Sequence, residues 1–362
     1  MSEWKTVRLG EILQIQPKSK IKAGDGSKVG IFPFYTCSNE LTKKIDTADY
    51  EGPALVFGTG GNASVHYVNG KFSTSTDCLV YKTNSNTNLS LINKYLRANI
   101  YLLENGFKGA GLKHISRDYI SNIEIKLPDS TIQEKVVSQL DLLESNITKH
   151  KTILEKLDLL IKSRFIEMFG DPVINEKDWD LKTLPELGEF GRGVSKHRPR
   201  NAPELLGGKY PLIQTGDVAN ANLYITDYES TYSEEGFKQS KMWKAGTLCI
   251  TIAATIAKTA ILTFDSCFPD SVVGFTPNEK TNSLFINYWF SFFQKILEEQ
   301  APAVAQKNIN LQVLSELKII TPPISLQNDF AAFVQQIDKS KFEIWLYLNL
   351  CYIIEKRVFT YD

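Results

Sequence analysis

The chain has 362 residues, 43% hydrophobic and 23% charged, a length that suits two folded domains and a composition that excludes a disordered protein. Its 41 Lys and Arg balance 41 Asp and Glu, so no broad basic field exists to hold a polyanion, and any nucleic-acid contact must come from local patches and shape. Five scattered cysteines, never spaced as CxxC, argue against a disulfide framework or a zinc site and for a reducing cytoplasm.

The opening MSEWKTVRLGE has no apolar leader core, so a soluble cytoplasmic protein without membrane contact is expected. A polar segment of mixed strands and Gly/Asn/Ser/Thr-rich turns follows, GTGGNAS at 58–64 among them. Next comes a glycine-flanked basic loop, GFKGAGLKHIS at 106–116, then a strand, NIEIKL, closed by Pro128, because proline cannot continue a ladder. Ser130 is a candidate N-cap for the helix beyond. Its apolar seam runs through Val136, Leu140, Leu143, Ile147, Leu154, Leu157, Ile161 and Met168, with His150 and Arg164 as polar interruptions. Spacing by three and four over several heptads predicts pairing with another helix. FGDPVINEKDWD at 169–180 stops it with Gly170 and Pro172 and reads as a polar linker.

The whole order then repeats. LGE at 9–11 returns at 187–189 and Pro33 matches Pro211, an offset of 178. Lys113, Ile115, Ser121, Ile123, Pro128 and Gln133 match Lys307, Ile309, Ser315, Leu317, Pro322 and Gln327 at an offset of 194, so the second copy has a longer interior. Within that copy TLCITIAATIAKTAILTF at 247–264 is apolar, but Lys258 and its threonines make it two buried strands joined by a turn, not a membrane span. The second helix, with Ser325 as its candidate cap, carries the matching seam Phe330, Val334, Ile337, Ile344, Leu348, Cys351 and Val358, interrupted by Lys341 and Glu355.

This duplicated order resembles the specificity subunit of type I restriction–modification systems over essentially the whole chain. The resemblance implies an α+β fold in which two β-rich target recognition domains are each followed by a long helix, and the two helices pair as an antiparallel coiled coil. The expected bounds are 1–129 and 181–323 for the recognition domains, 130–169 and 324–362 for the helices, and 170–180 for the linker. It also implies a non-catalytic subunit that binds double-stranded DNA at a two-part target, one half-site per domain. Two methyltransferase subunits, and in some complexes a restriction or translocase subunit, would be its partners. No cofactor is expected on this chain; S-adenosylmethionine, and ATP with magnesium, would sit on those partners.

The residues read without the resemblance agree. An amino-methyltransferase needs [ND]PP[YFW], and Thr321-Pro322-Pro323-Ile324 lacks both chemical groups. No GxxxxGK[ST] loop, no HExxH and no clustered Cys/His set is present. A self-contained methyltransferase or nuclease, and a scaffold binding peptides or glycans, are the rival readings; the first lacks a cofactor motif and the second leaves the basic loops unused. Those loops hold the candidate DNA-binding residues. Arg192, Lys196, His197, Arg198 and Arg200 crowd nine residues that contain no acid, and Lys18, Lys20 and Lys22 occupy the matching place after the first LGE. Lys108, Lys113 and His114 lie in the first glycine loop, and Gln306, Lys307 and Asn308 in its second copy, where Gln and Asn suit adenine edges. Gly60, Asn62 and Lys71 are candidates for the same face of the first domain. A solvated connection or a tight turn would use the same residue types in each loop.

Overall fold

A computed structural model describes residues 4–253, 256–300 and 310–359. The chain divides into two compact units, 1–152 with 344–362, and 153–343. Each takes its strands from one repeat and a stretch of both long helices.

In the first unit β1 (Lys5–Arg8) pairs antiparallel with β10 (Glu124–Leu127), which alternates exposed and buried residues as a half-buried strand must. One four-stranded sheet orders β2 (Leu13–Ile15), β9 (Cys78–Thr83), β6 (Ala54–Gly58) and β7 (Ser64–Val68). Another orders β4 (Lys43–Ile45), β3 (Phe32–Tyr35), β8 (Lys71–Thr74) and β5 (Tyr50–Glu51), with β3 and β8 parallel. β6 is buried throughout and feeds two cores, because successive side chains point to opposite faces. Leu55 and Phe57 join the helix Leu89–Ala98, while Ala54 and Val56 join Tyr35 and Phe72.

The second unit repeats this plan. β11 (Leu181–Lys182) pairs with β21 (Ile319–Ile320). One sheet orders β12 (Gly188–Arg192), β20 (Val272–Pro277), β17 (Leu248–Thr251), β18 (Thr259–Leu262) and β14 (Tyr224–Ile225). The other orders β15 (Ser230–Tyr232), β13 (Leu206–Leu212), β19 (Ser266–Cys267) and β16 (Met242–Trp243). The apolar window 247–264 is thus a buried antiparallel pair, as its threonines and lysine predict. β14 is the fifth strand that the first unit lacks; it lies in the longer interior of the second copy.

A further repeat marks the helix on each sheet. Thr87-Asn88 returns as Thr281-Asn282, and both asparagines cap. Asn88 Oδ1 accepts from Ser90 and Leu91 N–H of the helix Leu89–Ala98, and Asn282 Oδ1 accepts from Phe285 N–H of the helix Ser283–Gln300 at 2.8 Å. The glutamine of each Pro-x4-Gln locks that cap to the long helix. Gln133 Nε2 donates to Pro128 O at 2.9 Å and its Oε1 accepts from Asn88 N at 2.8 Å. Gln327 Nε2 donates to Pro322 O at 2.8 Å and Lys280 O at 3.0 Å, and its Oε1 accepts from Thr281 Oγ1 at 2.8 Å.

The long helices span Ser130–Phe169 and Ile324–Phe359. Ser130 and Ser325 lie inside the first turns rather than capping them; backbone carbonyls of Asp129 and Pro323 accept the first amides instead. In the first unit Leu140 shares a core with Phe359, and His150 lies 4.5 Å from the Tyr347 ring. In the second, Asp158 pairs with Lys341, Arg164 lies over Phe333 at 5.9 Å, and Phe165 meets Phe330 at 5.4 Å. In each unit partners descend along one helix as they rise along the other, so the pairing is antiparallel. The seam residues Leu140, Ile147, Ile161, Val334 and Leu348 are buried, and Leu143, Leu154, Leu157, Ile337 and Ile344 are half-buried. Of the polar interruptions of the seam, His150 and Arg164 lie against rings and Lys341 pairs with Asp158.

Residues 170–180 are hydrogen-bonded back to the end of the first long helix. Trp179 Nε1 donates to Phe169 O at 2.8 Å, and Lys177 Nζ donates to Glu167 O and Met168 O, placing a cation on the last carbonyls of the helix.

Candidate nucleic-acid interface

In the first unit the fold brings three separately placed segments together. Ser19 is buried, donates to Asp49 Oδ2 at 2.8 Å, and leaves Lys18 and Lys20 exposed on either side. Two residues on, Ile21 O accepts from Thr76 N at 2.8 Å, and exposed Lys22 follows. Next to Thr76, the Asp77 carbonyl accepts from Thr59 N at 2.9 Å, Thr59 Oγ1 at 2.8 Å and Cys37 Sγ at 3.0 Å. The Thr59 carbonyl accepts from Ile115 N at 3.0 Å and lies 3.2 Å from His114 Nδ1. Lys108 and His114 exchange both backbone hydrogen bonds at 3.0 Å, and Gly61 N donates to Lys113 O at 3.1 Å. The basic segment, the Gly60–Asn62 turn and the glycine loop therefore form one cluster with Lys18, Lys20, Lys22, Lys108, Lys113 and His114 exposed on it. The turns need their glycines: Gly61 has φ +80° and Gly109 φ +142°, conformations that side chains rarely adopt.

Lys71 is placed elsewhere. Phe34 stands opposite Ser73, so Lys71 comes level with Phe32, at the end of β3 away from Cys37 and the cluster. Cys37 itself accepts from Gly60 N at 3.4 Å. Its thiol shares a hydrogen bond with Cys78, which holds Cys37 down to about 6 and pushes Cys78 up.

The second unit's loop is strapped at both sides. Gly193 N donates to Val272 O at 2.9 Å, and Gln239 Oε1 accepts from the backbone N–H groups of Lys196 and His197. The nine-residue window has no acid of its own, but the fold supplies one: Asp270 pairs with Arg198 at 3.2 Å and also with Arg200. Arg198 donates further to Ser195 O at 2.6 Å and His197 O at 2.8 Å, and His197 Nε2 lies 3.7 Å from Glu204. Both guanidinium groups remain about half exposed, at 54% and 44%. They are thus oriented cations rather than free ones. Asp270 was legible only in comparison: it precedes β20 as Asp77 precedes β9, at an offset of 193. Arg192 is exposed at the end of β12. Gln306, Lys307 and Asn308 lie outside the described residues.

Chemistry at these sites is limited to holding a partner. Thr321-Pro322-Pro323 has a structural task, since Thr321 N donates to Asp180 O and Pro322 O accepts from Gln327. Among the described residues no group of three or more His, Cys, Asp or Glu could hold a metal ion, and no helix is long and apolar enough to cross a membrane.

The duplicated heads match a known family twice over. The model of the type I restriction modification DNA specificity domain matches residues 1–159 and again 176–345. The chain belongs to this family. It is a non-catalytic specificity subunit with two DNA specificity domains. Among its relatives, the EcoDI specificity subunit of Escherichia coli is 23% identical, covering 92% of this chain and 81% of the relative. A type I restriction enzyme specificity subunit of Haemophilus influenzae, itself putative by name, is 22% identical over 93% and 87% of the two chains. The crystal structure of the S subunit from M. genitalium superposes with a TM-score of 0.68 at 13% identity, covering 100% of this chain and 97% of that one. A chain from a study of complex assembly and conformational transition in a type I system superposes with a TM-score of 0.61 at 16% identity, covering 99% and 96%. These two likenesses speak to the fold.

Proposed function

We propose that this specificity subunit reads a two-part sequence in double-stranded DNA, one half-site per unit, and brings methyltransferase subunits to it. The observation that carries this reading is the convergence of Lys18–Lys22, the Gly60 turn and the Lys108–His114 loop into one exposed cationic cluster. Glycine turns let backbone N–H groups approach phosphate, and lysines add charge that positions the duplex without specifying sequence. In the second half, Arg198 and Arg200, aimed by Asp270, suit the paired acceptors of guanine. Arg192, Lys196 and His197 would take phosphates, and Gln306, Lys307 and Asn308 would serve the second glycine loop. The catalytic cofactors, S-adenosylmethionine and, where a restriction subunit joins, ATP with magnesium, belong to partners. Two methyltransferase subunits would dock along the long helices. Trp345, Leu346, Leu350, Ile353 and Ile354 are each exposed by 44–55% there, on the side away from the buried Leu348 and Cys351.

The test is reconstitution. The chain alone with S-adenosylmethionine should methylate nothing and should bind duplex weakly, with a steep dependence on salt. With a cognate methyltransferase it should direct methylation to one two-part site. Methylation by the isolated chain, or a complex whose target does not change when the specificity chain is exchanged, would sink the reading.

A further inference from the structure

Cys37 and Cys78 are distant in sequence, and the fold sets their thiols against each other. Gly58 on β6 stands opposite Cys78 on β9. Directly opposed residues of an antiparallel pair turn their side chains to one face. On that face a Cβ added to Gly58 would lie 2.9 Å from Cys37 Cα, so the missing side chain is what lets Cys37 settle over the pair. Cys78 Sγ lies 3.7 Å from Tyr35 O, two residues before Cys37. Cys37 Sγ lies 3.0 Å from Asp77 O, one residue before Cys78. The two thiols share a hydrogen bond. A bridge needs only that the sulfurs close from hydrogen-bond distance to about 2 Å, with no strand moving past another.

The pair is unequal in the way a redox couple requires. Cys78 is 1% exposed, whereas Cys37 is half-buried beside exposed Ser38. By donating to Cys37, the Cys78 thiol holds it down to about 6, so at neutral pH Cys37 is largely the nucleophilic thiolate with a neutral thiol behind it. Both lie under the cationic cluster. Cys37 Sγ accepts from Gly60 N at 3.4 Å, and the Asp77 carbonyl that Cys37 meets also fixes Thr59. The second copy carries no cysteine at the matching positions. At the offset of 178 that relates Pro33 to Pro211, Cys37 falls on Thr215; at the offset of 193 that relates Asp77 to Asp270, Cys78 falls on Ser271.

We propose that Cys37 and Cys78 form a reversible dithiol–disulfide couple, oxidised by a hydroperoxide and reduced by a thiol, that sets how selectively the first head reads its half-site. The inference rests on the DNA reading above. With hydrogen peroxide, the Cys37 thiolate attacks one oxygen and breaks the O–O bond. That oxygen becomes the hydroxyl of a sulfenic acid, and the other leaves as hydroxide and takes a proton to become water. The Cys78 sulfur then attacks the Cys37 sulfur and forms the S–S bond, and the expelled hydroxide leaves as water with the Cys78 proton. The two thiols lose two electrons and two protons, and the peroxide is reduced to two waters. Two molecules of a thiol reverse the change and end as their own disulfide. A disulfide sulfur is uncharged and a weak acceptor, so Gly60 N loses its partner and the turn loosens. The negative charge beneath the lysines is also removed. The first effect weakens the fit to the mapped sequence and the second favours any duplex, so both lower discrimination.

The test uses the full chain in complex with its methyltransferase subunits, on the site mapped by its methylation, first reduced with dithiothreitol and then treated with hydrogen peroxide. Peptide mass mapping without reduction should find a Cys37–Cys78 bridge. The preference for the mapped duplex over one scrambled in its first half should fall about tenfold, as for loss of a hydrogen bond to a charged group. The preference over a duplex scrambled in its second half should stay, and dithiothreitol should restore the parent values. C37S, compared with its own reduced form, should lose the response, and C78A should form no bridge. Absence of the bridge in the parent, or a bridge with unchanged discrimination, overturns the proposal. So does an equal fall in C37S or C78A, or a fall at both half-sites alike, since each places the sensitive group elsewhere. A reduced parent complex that does not prefer its mapped site over a fully scrambled duplex is a separate result. It would remove the DNA reading and with it the role in discrimination, while the bridge is still judged by mass.

Discussion

Replacing Gln133 by alanine should destabilise the first unit without altering any exposed surface. The side chain is 4% exposed and joins two main-chain groups: Pro128 O, to which Nε2 donates at 2.9 Å, and Asn88 N, from which Oε1 accepts at 2.8 Å. Alanine leaves both without a partner. An unpaired buried group costs about 1–3 kcal/mol, so the two together should cost about 2–6 kcal/mol. In a unit of this size 1 kcal/mol moves the midpoint by roughly 2–4 °C, which gives a fall of roughly 4–24 °C. Gln327→Ala should cost the second unit at least as much, because Gln327 is 0% exposed and makes three such bonds. Gln133→Glu separates the two bonds: a carboxylate still accepts from Asn88 but turns an acceptor toward the Pro128 carbonyl. It should therefore melt no higher than the alanine variant at neutral pH and recover partly in acid, where a protonated carboxyl can donate. Scanning calorimetry reads the midpoints, and hydrogen exchange at the Asn88 amide reads the bond itself. Midpoints within about 1 °C of the parent for both alanine variants would refute the claim that these glutamines lock cap to helix.

Arg198→Ala and Arg200→Ala should each cost about 1–3 kcal/mol at the second half-site and leave the first unchanged. Asp270→Ala should loosen discrimination while tightening binding to scrambled duplex, because it frees both guanidinium groups and removes a negative charge; equal affinities for every duplex in all three variants would remove this loop from the site. A heptad added to both long helices, after Thr152 and after Glu343 where the two units divide, keeps the seam in register and adds about 10 Å of helix. The unread gap should grow by about three base pairs of ~3.4 Å with both halves preserved, and an unchanged gap with activity retained would show that the helices are not the ruler. Cys37, half-buried and held down to about 6 by its bond with Cys78, should be the first of the five cysteines to react with iodoacetamide. Its rate should be near its plateau at pH 7 and fall below about pH 6, and Cys78→Ala, which removes the donor, should shift that profile upward. A rate that climbs steadily to pH 9 would contradict the thiol pairing.

Much of the architecture was legible because it is written in near-neighbour chemistry. Strands were marked by period-two alternation and closed by Pro128 and Pro322, and the helices by apolar residues at steps of three and four. The duplication was visible as offsets, although the second asparagine cap, Thr281-Asn282 against Thr87-Asn88, needed the structure to show its purpose. The cap at Ser130 was misplaced by the same chemistry: serine suits an N-cap, but Asp129 and Pro128, already fixed by β10, start the helix one residue earlier.

The sites divide along the same line. Sequence alone determined that the chain holds two similar heads, that each carries basic residues among glycines, and that none of the motifs of methyl transfer, nucleotide binding or zinc binding is present. It also determined that Pro-x4-Gln recurs, without saying why. Tertiary structure alone decided that Lys18–Lys22, Gly60 and Lys108–His114 form one cluster while Lys71 stands at the other end of its sheet. It alone decided that Asp270, some 70 residues away, orients Arg198 and Arg200, and that Gln133 reaches back to Asn88. The physical reason is range: propensity, periodicity and turn chemistry act over a few residues, whereas these contacts join segments tens of residues apart whose meeting depends on strand order and register, which no local pattern encodes.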